Sequence, residues 1–164
     1  MKRLLEFELI VEGRPVPLAR GRHGHTGRPR NTEESLEYQS RVIRAARRAM
    51  KEKHDVVNDY LFPFGKMILV ETTFVGPRVR ESDVDNLLKN AMDGLTKAGL
   101  WKDDKQVDAA RPVRVPSIQG EWTHVYARAW LTADSDNAGL RALHDCMALS
   151  PSTAAFARFA WQKE

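Results

Sequence analysis

At 164 residues, with 42% hydrophobic and 29% charged side chains, the chain is one domain's worth of sequence, able to bury a core without cross-links. That composition excludes the disordered and fibrous classes, and the single cysteine, Cys146, excludes an internal disulfide or a cysteine-rich zinc module. A formal charge of +4 and a pI near 9.4 suit a polyanionic partner. The start of the chain is not leader-like and no apolar run reaches membrane-spanning length, so a soluble, cytoplasmic chain with no membrane partner is expected.

Leu5, Phe7, Leu9 and Val11 alternate with Glu6, Glu8 and Ile10, the period of two of a half-buried strand, which Gly13 and nearby prolines end. Residues 13–30 form a loop rich in Gly, Pro, Arg and His, with Arg14, Arg20, Arg22, Arg28 and Arg30 and no acid. It reads either as a solvated surface loop or as a phosphate-contacting arm. Asn31 with Glu34 resembles a capping box, opening a helix that runs to about Lys53. Leu36, Ile43 and Met50, joined by Val42, Ala46 and Ala49, give this helix an apolar stripe, while Arg41, Arg44, Arg48 and Lys51 share another face with Arg47 beside it. Taken alone, a charged stripe of this kind is usually a solvated helix face.

After a polar and aromatic connection, Met67 to Val75 is nearly continuous in apolar and β-branched residues, as a central strand requires, and Gly76-Pro77 ends it. Leu87, Leu88, Ala91, Met92 and Leu95 predict a second amphipathic helix, closed by Lys97 and capped by Gly99. Val107 to Val115 and Trp122 to Leu131 read as two strands joined as a hairpin through Ser117 to Glu121, with Pro112 placing the first at an edge or bulge. On the last strand Val125, Ala127, Ala129 and Leu131 share one face, and Trp122, His124, Tyr126, Arg128 and Trp130 the other. That second face reads as a packed layer beneath a helix more readily than as a base-stacking surface. Residues 133–164 read as an Ala-rich helical extension. The expected class is therefore α/β (α+β): a single compact domain over 1–132, its mixed sheet flanked by helices, with a helical C-terminal extension over 133–164.

Five aspartates, Asp83, Asp85, Asp93, Asp103 and Asp104, fall within 22 residues. In an extended segment Asp83 and Asp85 would point to the same side and share a cation, and a helix running out and a strand returning could bring Asp104 beside them. Oxygen ligands without His or Cys suit Mg²⁺ or Mn²⁺, an ion able to lower the pKa of a bound water and screen a phosphodiester. Lys89 is four residues after Asp85 and four before Asp93, on one helix face, where an ammonium could stabilise charge developing on phosphate. Each residue has a duller reading: Asp85 as an N-cap, Lys89 as an ion-pair partner, Asp103-Asp104 as a turn. Those readings do not account jointly for the whole arrangement.

The stretch Asp83-Val84-Asp85-Asn86, Lys89, Asp93, Leu95, and Thr96 through Val107 resembles the RusA family of Holliday junction endodeoxyribonucleases, a likeness that extends over roughly residues 4–131. The resemblance implies a homodimeric, Mg²⁺-dependent nuclease of bacterial or phage origin, without a small-molecule cofactor, that places paired nicks in four-way DNA junctions during recombination and repair. It implies metal-binding carboxylates at Asp83, Asp85 and Asp104, a catalytic lysine at Lys89, and supporting roles for Asn86, Asp93 and Asp103. It also gives the basic residues Arg20, Arg22, Arg28, Arg30, Arg41, Arg44, Arg48 and Lys51 a DNA backbone to meet. Alternatives are a related nuclease acting on flaps or forks, and a junction-binding protein that does not cleave.

Overall fold

The computed structural model describes residues 4–18, 32–57, 62–64 and 68–130. Within them the order is β1 (Leu4–Glu12), α1 (Glu33–Val57), β2 (Ile68–Val75), α2 (Val84–Ala98), β3 (Val107–Val115) and β4 (Trp122–Trp130), with 3₁₀ turns at Val79–Glu81 and Asp104–Gln106. The four strands form one mixed sheet in the order β1-β4-β2-β3, in which β4 is antiparallel to both neighbours and β2 and β3 are parallel. Both helices pack on one face, so this is a single α+β domain of two layers.

The residue pattern explains the order. All eight residues of β2 are buried, the mark of a central strand, whereas β3 alternates exposed and half-buried residues and contains Pro112, which has no N–H to give a second neighbour. Thus β3 takes the edge, as Pro112 predicts. The hairpin expected between β3 and β4 does not form, because β2 lies between them. Their connection crosses the end of β2 instead, with the Gly76 N–H donating to the Val115 carbonyl (3.2 Å) and the Ser117 N–H to the Gly76 carbonyl (3.3 Å).

Phe7, Leu9 and Val11 of β1, Val70 and Phe74 of β2, and Val125, Ala127 and Ala129 of β4 meet Tyr38, Val42 and Ala46 of α1 and Leu87, Ala91 and Leu95 of α2 in one core. On α1 this corrects the expected stripe: Leu36 is 48% exposed, and Tyr38 takes the inward position with its hydroxyl 2.8 Å from Thr123 Oγ1. Burial pushes the Tyr38 phenol well above its usual range. The helix also runs to Val57, past Lys53, and Thr32 Oγ1 accepts from the Ser35 N–H at its start. Asn31 lies outside the described residues. The helices approach closely at Gly94, where an added Cβ would stand 2.8 Å from Val42.

The opposite sheet face carries cross-strand polar pairs: Tyr126 donates to Glu6, His124 Nε2 lies 2.7 Å from Glu8, and a buried Arg128 is 3.5 Å from Glu71. Burial, and then the Glu6 carboxylate, push the Tyr126 hydroxyl up to about 12. The expected helical extension over 133–164 lies outside the described residues.

Candidate active site

The turn after β2 delivers the first carboxylates. Val79 is buried and pins the 3₁₀ turn, and Arg114 Nη1 of β3 donates to the Ser82 carbonyl at 2.7 Å. Asp83 is then the extended N-cap of α2 (φ −64°, ψ 133°), but its side chain makes no cap hydrogen bond and, among the described residues, accepts from Asn86 Nδ2 at 3.3 Å. The helix begins between the two aspartates, so Asp85 sits in its first turn and the expected extended Asp-x-Asp does not occur. Both carboxylates are exposed at the N-terminal end of the helix. Lys89 follows one turn after Asp85 and Asp93 one turn after Lys89, on the same face.

Asp104 belongs to the other end of α2. Gly99 ends the helix in the left-handed conformation (φ 92°), its N–H returning to the carbonyls of Leu95 and Thr96. The chain then passes through Leu100 and Trp101, both buried, into the 3₁₀ turn that precedes β3. Asp103 caps this turn: its carboxylate accepts the Lys105 N–H at 3.0 Å, while Gln106 Oε1 accepts the N–H groups of Lys102 (2.8 Å) and Asp103 (3.0 Å). The Lys105 N–H, and then the neighbouring Asp104 carboxyl, hold Asp103 below the usual carboxylate range. Asp93, Thr96, Lys97, Lys102, Asp103 and Asp104 line an open cavity of about 410 Å³.

The donor chemistry fits a hard divalent cation, yet one chain does not assemble it. Val84–Ala98 spans about 21 Å at the α-helical rise, with Asp83 and Asp85 at one end and Asp104 near the other. Among the described residues no group of three or more His, Cys, Asp or Glu side chains stands close enough to hold a metal ion. Asp104 precedes β3 rather than following it, so the returning strand leads away from Asp104 toward the Asp83 end instead of carrying it there.

Among the basic candidates, Arg44, Arg48 and Lys51 are exposed on α1. Arg41 is engaged within the protein: Nη2 donates to the Arg14 carbonyl at 2.8 Å, the guanidinium lies 5.6 Å from the Tyr38 ring centroid, and Nη1 closes over Gly13 (φ 87°). Arg20, Arg22, Arg28 and Arg30 lie outside the described residues. Sequence reasoning passed over Arg78, Arg80 and Arg114, exposed cations at the Asp83 end, for which the nearness of Arg78 and Arg80 to Asp83 in the chain was the available signal. It also passed over Asn90, fully buried on α2 beside Lys89.

Comparison with known proteins supplies the context for this arrangement. The crossover junction endodeoxyribonuclease RusA of Escherichia coli K12 is 52% identical over 44 residues, covering 27% of this chain and 37% of that protein. The enzyme of the same name from Enterobacteria phage 82 is 50% identical over 44 residues with the same coverage. The matched stretch is therefore little more than a third of each relative's length. The family model described as endodeoxyribonuclease RusA matches much more, residues 12–125, a span that runs from the end of β1 into β4 and takes in both ends of α2. On that match, the chain belongs to the RusA family of endodeoxyribonucleases.

Proposed function

We propose that this chain is a divalent-metal-dependent, structure-selective endonuclease that resolves four-way DNA junctions by paired nicks, in recombination and repair. The observation that carries the reading is the pair of exposed carboxylates, Asp83 and Asp85, opening α2 with Lys89 one turn further on, inside the span matched by the family model. Asp83 and Asp85, with Asp104 as the third ligand, would hold Mg²⁺ or Mn²⁺. Such an ion, when bound, lowers the pKa of a water and screens the charge of a phosphodiester. Lys89 sets a positive charge beside the scissile phosphate, where it is worth most as charge develops. Asn86 orients Asp83 through its amide, Asp103 holds the turn that presents Asp104, and Asp93 supports the site from one turn after Lys89 on the same helix face.

Separation of the carboxylates along α2 favours a homodimer. Two chains related by a two-fold axis, with α2 antiparallel to its copy, would bring the partner subunit's Asp104 to Asp83 and Asp85, twice, and a four-way junction offers two equivalent strands to two such sites. Arg44, Arg48 and Lys51 of α1, with Arg78, Arg80 and Arg114 at the Asp83 end, provide phosphate contacts, and the association weakens steeply with salt. Arg20, Arg22, Arg28 and Arg30 are further candidates for phosphate contacts.

Asp104→Asn removes a ligand and a negative charge, so Mg²⁺-dependent nicking of a synthetic four-way junction should be lost while its gel shift is retained or tightened. Unchanged nicking would overturn the assignment. Mixing Asp83→Asn with Asp104→Asn separates one-chain from two-chain sites. In a mixed dimer the two-chain arrangement leaves one site whole and restores single nicks, whereas a one-chain site leaves both sites dead.

A further inference from the structure

We propose that Asn90 is a positioning residue that fixes both stems of the arginine-rich loop, residues 14–18 and 32–35, onto one turn of α2. Its consequence for DNA rests on the endonuclease reading above. Asn90 is fully buried. Its Oδ1 accepts from Ser35 Oγ (3.2 Å) and Gln39 Nε2 (2.8 Å), and its Nδ2 donates to the Val16 carbonyl (2.8 Å). One side chain thus fills three of its four hydrogen-bonding positions, with two partners on α1 and one on the segment before the loop.

Placement gives these bonds their meaning. Asn90 is four residues after Asn86, on the same side of α2, and the Asn86 carbonyl accepts the Leu18 N–H at 2.9 Å. The outgoing stem is therefore held at both ends of one turn of α2, through Val16 to Asn90 and through Leu18 to Asn86, two residues before Arg20. The incoming stem is held at Asn90 through Ser35, whose own N–H meets Thr32 Oγ1 at 3.3 Å. Asn86 also donates to Asp83, and Lys89 adjoins Asn90, so the turn that anchors the stems is the turn that carries the catalytic candidates. Gln39 extends the network, because its Oε1 accepts from Lys97 Nζ in the last turn of α2, which lines the Asp104 cavity.

An apolar side chain at this position would pack as well but would strand the Val16 carbonyl and the Ser35 and Gln39 donors in the interior. Asparagine is a poor former of helix interiors, so its presence mid-helix is not explained by local propensity. The network accounts for it: both described stems of the loop are held at the Asp83–Lys89 end of the helix.

The test compares the full-length wild type with Asn90→Ala by amide hydrogen exchange and by four-way-junction binding and nicking. The Leu18 amide should exchange about 10-fold faster or more in the variant, the scale of a lost buried hydrogen bond, while β2 amides keep their protection. Junction Kd and KM should rise by a similar factor, with kcat at saturation nearly unchanged. In a background where Arg20, Arg22, Arg28 and Arg30 are glutamine, Asn90→Ala should cost no further affinity, since a positioning role acts only through what it positions. Unchanged Leu18 exchange, or a full Asn90→Ala penalty in the glutamine background, would overturn the proposal. If Asn90→Ala does not fold, Asn90→Asp serves, because it keeps the acceptor for Ser35 and Gln39 and loses the donor to Val16. Should the wild type bind no junction, the endonuclease reading falls, and Leu18 exchange alone then decides the role of Asn90.

Discussion

The two ends of α2 carry the same residue type and use it differently. At the N-terminal end Asp83 and Asp85 are exposed, and the fold asks almost nothing of them: Asp83 occupies the cap position without bonding the helix backbone. At the C-terminal end Asp103 is a working cap, closing the 3₁₀ turn with Gln106, and Asp104 beside it is left exposed. A carboxylate that caps a turn through backbone N–H groups explains its own presence, whereas an exposed one that bonds no backbone group does not. That criterion assigns Asp103 to the scaffold and is consistent with the proposed chemical roles of Asp83, Asp85 and Asp104.

The contrast breaks most visibly under amide substitution. Asp83→Asn and Asp85→Asn should each lower the nicking rate on the order of 10³-fold, the scale on which groups aimed at developing charge act, with denaturant midpoints close to wild type. Asp103→Asn should reverse the pattern, keeping most of the nicking rate while weakening the turn. If the denaturant midpoint falls for Asp83→Asn as it does for Asp103→Asn, the division between chemistry and scaffold is wrong.

Next in size is a change that touches both ends through their common helix. An alanine Cβ at position 94 would stand 2.8 Å from Val42, so Gly94→Ala must push α2 away from α1 or force Val42 off its rotamer. Urea unfolding should show a loss of about 1–3 kcal/mol, the cost of overpacking a close crossing. Coupling Gly94→Ala with Val42→Ala should recover much of it. No recovery would mean that the helices do not meet at this pair.

What was legible in the chain was local. The nearly continuous apolar and β-branched run of β2, the Gly99 cap and the edge character of Pro112 follow from periodicity and backbone chemistry, and each stands in the structure. Strand partners were not legible, since adjacent segments β3 and β4 look like a hairpin until β2 competes for the space between them. Leu36 was misplaced because a seven-residue period of apolar residues outweighed Tyr38, whose ring and hydroxyl both find inward partners. The carboxylates were recognisable by type and spacing, but their separation depends on the direction of α2 relative to β3. Asn90 offered no signal, because a buried asparagine is defined by residues 51, 55 and 74 positions away.

The basic face of α1 sharpens the comparison at a smaller scale. Arg44, Arg48 and Lys51 are exposed, so changing all three to glutamine should weaken junction binding and reduce the slope of log K against log salt by up to about 0.9 for each phosphate that is no longer neutralised. Arg41→Gln should leave that slope nearly unchanged and lower stability instead, since its guanidinium is engaged by the Arg14 carbonyl and the Tyr38 ring. Equal salt slopes for Arg41→Gln and the triple variant would return Arg41 to the DNA-facing set.

The smallest effect is the acid response of the cap itself. Lys105's N–H and the adjacent Asp104 carboxyl lower the Asp103 pKa from the ordinary value of 3.8, so the folded state holds this proton less tightly than the unfolded chain does. A depressed carboxylate contributes stability above its unfolded pKa and loses it as pH falls through its folded pKa. The difference in urea midpoint between wild type and Asp103→Asn should therefore be present at pH 6 and shrink below the ordinary carboxylate value. It remains small because the group is fully exposed and its interactions are screened by solvent. A midpoint difference that stays constant from pH 6 to the acid limit would show that the cap works through shape alone, and that Asp103 is no more charged in its function than the asparagine replacing it.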